Sequence, residues 1–227
     1  IKNEVGPRWQ SYTTLIGAKE DRTITFQLGK TLDSSIVMTR PMACEGSASS
    51  SFMNSVRQET YKRLAIDDWT SRYLVILVPD SGCIWSGRAL MGSIKTSGGV
   101  MTLHDTASAF VITHELGHSL GLGHSNFLRC DSGKKDGPWG SDCKAVEYGG
   151  TVDVMGNVDV DTPLSSYNQW ILGYLESKDV YQSWVNESID LSAVDLATGT
   201  RAIFIRDGKA TYWIEYRRAA GAYKPGL

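Results

Sequence analysis

Three of the four histidines in this chain lie within one short stretch, at a spacing that suits a metal ion. From His114 to His124 the sequence reads His-Glu-Leu-Gly-His-Ser-Leu-Gly-Leu-Gly-His, which fits the pattern H-E-x-x-H-x-x-G-x-x-H. Residues four positions apart share a helix face, so His114 and His118 can present two imidazoles to one ion. With His124 they predict a three-histidine zinc site whose fourth position stays open, as catalytic zinc requires.

Two other residues of this stretch have predicted roles. Glu115 lies about 100° around the helix from His114, so it can face the site without binding the metal. There it would serve as general base and acid in peptide-bond hydrolysis, taking a proton from a water whose pKa zinc lowers towards 7. Gly121 can adopt the positive φ that ends a helix, and the resulting turn brings His124 round as the third ligand.

Other interpretations of the motif remain open. They are an inactive descendant of an enzyme, a binding module that retains zinc, a zinc-stabilised structural domain, and a hydrolase of another bond such as a small amide. Glu115 argues against the inactive forms, because they have no need of a general base. The fourth histidine, His104, could contact the site, but the simpler interpretation is an ordinary loop histidine.

The elements that must position the motif can be recognised around it. A helix is predicted from an N-cap at Asp105 or Thr106 to about Leu120. The continuous apolar run Leu74–Val78 predicts a fully buried strand that a turn ends, and residues 88–94 predict another strand nearer an edge.

The rest of the chain alternates between helix and strand patterns. This order predicts an α+β or α/β fold. Before the motif, the sequence predicts a strand over Thr23–Leu28, a short serine-rich loop over Ser47–Ser51 and a helix over Asn54–Ile66. After the motif, it predicts a helix that is capped by Thr162, has Pro163 at its first position and ends at Gly173. A hairpin of Ala202–Ile205 and Thr211–Tyr216 is predicted around Asp207-Gly208.

Composition excludes several classes of protein. With 227 residues, the chain forms one large domain or two small ones, and its 41% hydrophobic and 21% charged residues are typical of globular proteins. The net charge of −2 gives no basic excess for nucleic-acid binding. The longest apolar runs, such as Tyr73–Pro79, are too short to insert into a membrane. The start at Ile1 suggests a processed or excised chain, and the oligomeric state is undetermined.

The four cysteines can form two disulfides in three connectivities. Cys130 and Cys143 bracket a polar loop, so we expect a disulfide between them, which leaves Cys44 with Cys83. The alternative is four reduced core cysteines. No C-x-x-C pair supports a cysteine zinc site.

With the zinc motif and a later methionine turn, the chain resembles the metzincin zinc endopeptidases. Val154-Met155-Gly156 resembles the turn that lies beneath the metal in that family, which implies that Met155 supports the site. Within the metzincins, the chain is most similar to the gametolysin-type family. The stretches that carry this resemblance are Cys83–Gly87, Ser125-Asn126 with the following cysteine-bracketed loop that ends in Glu147-Tyr148-Gly149, Asp153–Asn157 leading to Leu172–Leu175, and Tyr212–Arg217.

The resemblance implies a fold as well as an activity. It implies a single catalytic domain over residues 1–227, with a twisted mixed sheet and the active-site helix above a cleft. Residues 1–124 would form the upper subdomain and residues 125–227 a more irregular lower one. The strand at residues 88–94 would line the cleft and pair with an extended substrate. The chain departs from some metzincins at Asn157, where they have a tyrosine, so we assign no role there.

We therefore expect a secreted zinc-dependent endopeptidase that acts on proteins or peptides, with Glu115 as its catalytic residue. Calcium is a weaker expectation. Two sets of loop carboxylates could bind it, but neither has EF-hand spacing, and solvated side chains are the simpler interpretation. The two sets are Asp131, Asp136 and Asp142, and Asp159 and Asp161.

Overall fold

The computed structural model of the chain describes residues 3–15, 17, 22–32, 44–79, 82–95, 98–131, 140–157, 162–208 and 210–218. The chain forms two compact units. The first comprises Ile1–Val5 with Phe26–Leu122, and the second comprises Gly6–Thr25 with Gly123–Leu227. No helix in the ranges above is both long enough and apolar enough to cross a membrane.

The structure combines helices with sheets, as the predicted α+β class requires. The helices are α1 (Val5–Thr13), α2 (Gly46–Arg63), α3 (Ala109–Ser119) and α4 (Ser166–Ile171), with a short 3-10 helix at Ser177–Asp179. The strands are β1 (Tyr73–Val78), β2 (Gly87–Ala89), β3 (Gly99–His104), β4 (Phe127–Cys130), β5 (Cys143–Val146), β6 (Val180–Gln182), β7 (Ala202–Asp207) and β8 (Ala210–Glu215).

The sheet of the first unit has the order β1-β3-β2, with β1 parallel and β2 antiparallel to β3. The central strand β3 is buried along most of its length, and α2 and α3 pack against it. The apolar run Leu74–Val78 is a strand, but the prediction that it is fully buried was wrong. It lies at the sheet edge, where Leu77 is 60% exposed.

Helix α2 begins well before its predicted start at Asn54. It includes Ser47–Ser51, which the sequence predicted to be a loop. Serine is a modest helix former, but propensity yields to packing, and both Ser49 and Met53 are buried. The hydroxyl of Ser55 also donates to the carbonyl of Ser51 at 2.9 Å, within the helix.

The first predicted strand, Thr23–Leu28, is not a strand in the structure. Its side chains alternate as expected only in part, since Ile24 and Phe26 are half-buried and Thr25 and Gln27 are exposed, but the apolar Leu28 is 54% exposed. However, the backbone N–H of Ile24 donates to the hydroxyl of Thr13 at 2.9 Å rather than to a neighbouring strand. The alternating pattern therefore indicated a partly buried face, but not hydrogen bonding to a neighbouring strand.

The strand predicted for residues 88–94 is shorter and shifted, because β2 covers only Gly87–Ala89. The N–H of Gly92 donates to the carbonyl of His118 in α3 at 2.9 Å. The backbone N–H at Gly92 is therefore bonded to the helix and not to a strand. A Cβ at Gly92 would lie 1.9 Å from the carbonyl oxygen of Ser119, an approach that only glycine allows.

Both predicted N-caps were placed too early. Ser108 caps α3 and Ser165 caps α4, each accepting a backbone N–H at its third helical position. The carboxylate of Asp105 lies 3.0 Å from the His104 ring, and the two predicted threonine caps use their hydroxyls elsewhere. Thr106 bonds to the His104 ring at 2.8 Å, and Thr162 donates to the carbonyl of Val152 at 2.6 Å.

The second unit is built around a sheet in the order β6-β7-β8. Strands β7 and β8 form the predicted hairpin, with Phe204 opposite Trp213. Just before β7, the buried guanidinium of Arg201 pairs with the buried carboxylate of Asp179 at 2.8 Å and also donates to the carbonyl of Tyr174. Burial of this pair is tolerated because the charges are paired and both terminal nitrogens of the guanidinium find acceptors, while its Nε has no partner among the described residues.

Both disulfides form with the expected pairing, Cys44 with Cys83 and Cys130 with Cys143, so that prediction is confirmed. Cys130 and Cys143 lie opposite each other at one end of the β4–β5 hairpin. The cross-link therefore holds the register of this hairpin.

Removing the Cys130–Cys143 disulfide by serine substitution at both positions should lower the free energy of unfolding by about 3 kcal/mol, because a closed loop of this length restricts the unfolded chain. Urea unfolding followed by circular dichroism measures the loss. The matched variant without Cys44–Cys83, whose sequence separation is 39 rather than 13, should lose about 4 kcal/mol. A larger loss for the shorter loop would contradict this entropic account.

Candidate active site

The motif is carried by α3 and the turn that follows it. The helix ends with Leu120 as its C-cap, and Gly121 has φ +100°, the left-handed conformation that the sequence predicts for it. The N–H of Gly121 donates to the carbonyl of His118, and the N–H of Leu122 donates to that of Gly117, both at 2.9 Å. These two bonds are the Schellman motif that ends helices, and they reverse the chain before His124.

The structure brings the three motif histidines together. One ring nitrogen from each of His114, His118 and His124 lies within 4.8 Å of the others. Nitrogen ligands of a tetrahedral zinc ion are about 3.4 Å apart, so small side-chain movements suffice to bind one. Among the described residues, this is the cluster of histidine, cysteine or carboxylate groups that could hold a metal.

Hydrogen bonds set the tautomers of two of these rings. Nδ1 of His118 lies 2.8 Å from the carbonyl oxygen of Leu122, and Nδ1 of His124 lies 2.7 Å from Oε1 of Glu147. Both oxygens are acceptors, so Nδ1 donates in each case, which leaves Nε2 of the neutral ring as the nitrogen that can bind a metal. Neutral imidazoles oriented in this way by a second hydrogen bond are the donors that zinc sites use, so the residues fit the metal.

Glu115 lies between two of these histidines in sequence and is buried. Burial raises the pKa of its carboxyl to about 7, against the opposing effects of the Ala89 backbone hydrogen bond and the nearby charge of Arg88. Within the described part of the chain, Oε2 of this carboxylate has no hydrogen-bond partner. A buried carboxylate with an open oxygen and a pKa near neutrality can accept and return a proton.

Strand β2 approaches Glu115 closely because Gly87 has no side chain. A Cβ at this position would lie 2.8 Å from Cγ1 of Val111 and 2.9 Å from Cγ and Oε1 of Glu115. The stretch before β2 is held in turn by Cys44, whose carbonyl accepts from Nε1 of Trp85 at 2.9 Å. Gly87 therefore sets the position of Glu115 against the sheet.

The turn containing Met155 is bonded directly to the residue after the third histidine. The N–H of Ser125 donates to the carbonyl of Met155 at 2.8 Å, and Met155 itself is fully buried. The turn needs glycine at its next position, because a Cβ at Gly156 would lie 1.8 Å from the carbonyl oxygen of Gly150. The segment that resembles a methionine turn is thus attached to the chain beside His124.

Comparison with known families matches residues 78–157 to the family of dual-action HEIGH metallopeptidases. The chain is a metallopeptidase, and hence a hydrolase. The match covers about a third of the chain, including the whole histidine motif and the Met155 turn. The motif of the family name differs from residues 114–118 only at Leu116, where the name has isoleucine. No curated protein and no solved structure gives a significant match.

The family match and the three-histidine cluster together indicate zinc as the metal of this metallopeptidase. The remaining histidine, His104, bonds to Thr106 and lies 3.0 Å from a carboxylate oxygen of Asp105. It is not part of the metal-binding cluster among the described residues. Of the carboxylates considered for calcium, only Asp131 and Asp142 lie within the described residues, and the other three lie outside them.

The sequence did not reveal the importance of Asp153, which is fully buried. Its Oδ1 accepts the hydroxyl of Ser125 at 2.7 Å and the N–H of Met155 at 2.9 Å. Its Oδ2 accepts the N–H of Ser165 at 3.1 Å and the side-chain amide of Asn168 at 2.7 Å. One carboxylate thus joins the chain after the third histidine, the Met155 turn and the start of α4. Only its place beside Met155 hinted at this role.

Replacing Asp153 by asparagine should destabilise the metallopeptidase, because every partner of the carboxylate is a donor. Whichever way an asparagine amide turns, its NH2 group faces a backbone N–H, that of Met155 or that of Ser165, which can only donate and loses its acceptor, at a cost of about 1–3 kcal/mol. Urea unfolding of Asp153→Asn measures this. Asp190→Asn, which changes an exposed aspartate of the same unit, is the matched control and should behave as wild type. Equal stability of the two variants would contradict the role given to Asp153.

Gly87→Ala should slow turnover without changing metal affinity. The atoms nearest to the added methyl group belong to Val111 and Glu115, so it displaces the carboxylate. A displacement of about 1 Å in a reacting group can lower kcat by up to about 100-fold. Steady-state kinetics and a zinc titration measure the two quantities. Gly29→Ala is the control, since nothing lies within 4 Å of its added Cβ. Wild-type kcat in Gly87→Ala would exclude this positioning.

Proposed function

We propose that this chain is a secreted zinc endopeptidase in which Glu115 is the general base and acid, with His114, His118 and His124 as the metal ligands. The observation that carries the proposal is the buried Glu115 carboxylate, whose Oε2 is unpartnered among the described residues and whose helix presents two of the ligands. Bound zinc would supply a water of lowered pKa and would polarise the peptide carbonyl.

The proton transfers of the proposed reaction are assigned to Glu115. Oε2 of Glu115 receives the proton that water loses as it attacks the peptide carbon, and it then gives this proton to the leaving amine. A pKa of about 7 suits both transfers at neutral pH. The backbone hydrogen bond from Ala89 keeps the Glu115 carboxylate in the same orientation from the first proton transfer to the second.

The sheet of the first unit supports an extended peptide as the substrate. Strand β2 lies at the edge of this sheet, immediately beside Glu115. Backbone groups at a sheet edge can pair with an added strand, which holds a peptide without reading its sequence. An internal peptide bond held in this way would be cleaved, which is endopeptidase rather than exopeptidase activity.

Three finer expectations belong to the same proposal. Two disulfides support an extracellular location, since such bonds persist in oxidising environments. The bonded turn at Met155 supports membership of the metzincins, with the gametolysin-type family as the most similar one, and a role for Met155 in supporting the site. We also propose that residues 1–124 and 125–227 act as the upper and lower subdomains of one catalytic domain, with Gly121 at the end of the active-site helix.

Glu115→Gln should lower kcat by about 10²–10⁴-fold while zinc binding is retained, because the amide cannot take up a proton. The assay is incubation with a reduced and alkylated protein, with the products mapped by mass spectrometry. Internal cuts that stop with a zinc chelator and are absent from Glu115→Gln would support the proposal. Glu59→Gln, which removes an exposed carboxylate paired with Arg63, is the control and should cleave normally.

Other results of this assay would overturn the proposal. Zinc-loaded protein that makes no cuts would point to a binding module that retains the metal. Removal of terminal residues alone would make the chain an exopeptidase. Unchanged cleavage by Glu115→Gln would assign the proton transfers to another group.

A further inference from the structure

The third histidine is held by two neighbouring residues that the motif does not contain. Oε1 of Glu147 accepts a hydrogen bond from Nδ1 of His124 at 2.7 Å. The ring of Tyr148 lies against the same imidazole, with the ring centroids 3.8 Å apart and an angle of 36° between the planes. His124 is thus contacted at its edge by a carboxylate and on its face by an aromatic ring.

Tyr148 is held in a conformation that it would not adopt by itself. Its φ is +59°, in the left-handed region that bulky residues avoid. Its N–H donates to the side-chain oxygen of Asn126 at 3.1 Å, and its carbonyl accepts the N–H of Asn157 at 3.0 Å. Such a backbone persists only where its surroundings hold it, and it is commonly found at functional sites.

The disulfide-linked hairpin places these two residues beside His124. Strands β4 and β5 pair from Cys130 opposite Cys143 to Phe127 opposite Val146, and Glu147 is the next residue. Two glycines then bring the chain against the strand that follows the histidine. A Cβ at Gly149 would lie 2.6 Å from Cβ of Phe127.

At the second glycine the approach is equally close. A Cβ at Gly150 would lie 2.8 Å from both Cβ and the carbonyl oxygen of Ser125, and the N–H of Gly150 donates to that oxygen at 2.9 Å. The position of Glu147 and Tyr148 is therefore set by the backbone on both sides of them, within one unit of the chain.

We propose that Glu147 and Tyr148 are positioning residues for the metal, through His124. Glu147 keeps the proton of this ring on Nδ1, so that Nε2 presents its lone pair, and its negative charge makes Nε2 a stronger donor. Tyr148 limits rotation of the ring. This inference rests on the proposed function, since it requires zinc to be held by the three motif histidines.

The contact between Glu147 and His124 is suited to this role rather than to stabilising the fold. The Glu147 side chain is 69% exposed, and contacts made by exposed charged side chains contribute little to folding. Partners of ligating histidines, in contrast, typically change metal affinity by 10–100-fold when they are removed. Loss of Glu147 should therefore affect metal binding and leave the metal-free protein as stable as before.

The test measures the zinc dissociation constant of the full chain by competition with a chromogenic chelator. Glu147→Ala should bind zinc about 10–100-fold more weakly. Glu147→Gln should lie between it and wild type, because the amide oxygen still accepts from Nδ1 but carries no charge. Melting of the metal-free proteins checks that both variants fold, and Glu59→Gln serves as the surface control.

Repeating the measurement in a variant that lacks the His124 ring distinguishes positioning of this ring from a general effect on the structure. In His124→Ala the ring that Glu147 orients is gone, so adding Glu147→Ala should change zinc affinity less than about two-fold. An equal loss in both backgrounds would overturn the inference, as would wild-type affinity in Glu147→Ala. If the wild-type chain binds no zinc, the proposed function itself fails, whereas zinc-binding wild type with an unaffected Glu147→Ala refutes this inference alone.

The same approach tests the aromatic residue. Tyr148→Phe keeps the ring and should bind zinc as wild type does. Tyr148→Ala removes the ring and should weaken binding in the wild-type background only. Wild-type affinity in Tyr148→Ala would remove Tyr148 from the proposal.

Discussion

One helix can present two imidazoles to a metal ion, but the third ligand must come from chain that has already left the helix. His114 and His118 are neighbours on α3 because of helical spacing alone. His124 reaches them only because the helix ends at Gly121, whose φ of +100° reverses the chain. A ligand on such a segment has no helix to hold it, so its position depends on other contacts. Residues in the same unit as His124 supply them.

Those contacts act at two levels. At the backbone, Ser125 bonds to the carbonyl of Met155 and to the N–H of Gly150, so two turns are attached to the residue beside His124. At the side chains, the buried carboxylate of Asp153 joins three segments by four hydrogen bonds, each from a donor. A carboxylate can be buried when both of its oxygens accept hydrogen bonds in this way.

Close backbone approach is the second recurrent feature of the site. Glycines occur where strand or turn must touch its neighbour, at Gly87 against Glu115 and at Gly156 against Gly150. The contact at Gly87 buries Glu115, and burial is what raises the pKa of its carboxyl to about 7. The catalytic character proposed for this residue is thus a product of packing as well as of its place in the motif.

Local sequence signals predicted which helices and strands form better than they predicted the residues at which these begin and end. The helix over the motif, the β7–β8 hairpin and both disulfides were recognised because each depends on spacing or turn residues nearby. The caps at Ser108 and Ser165 were misplaced, since several hydroxyl residues in a row can each cap a helix and only tertiary partners select one. Ser47–Ser51 became helical because packing of α2 outweighed propensity.

The sequence by itself determined which residues could carry the proposed chemistry: three imidazoles, one carboxylate and a glycine that ends the helix, at spacings that a helix converts directly into geometry. Tertiary structure decided what spacing cannot encode. The roles of Asp153 and Glu147 depend on contacts 28 and 23 residues away in the chain, respectively. No local periodicity relates such residues, because hydrogen bonds between separate turns exist only after the chain has folded.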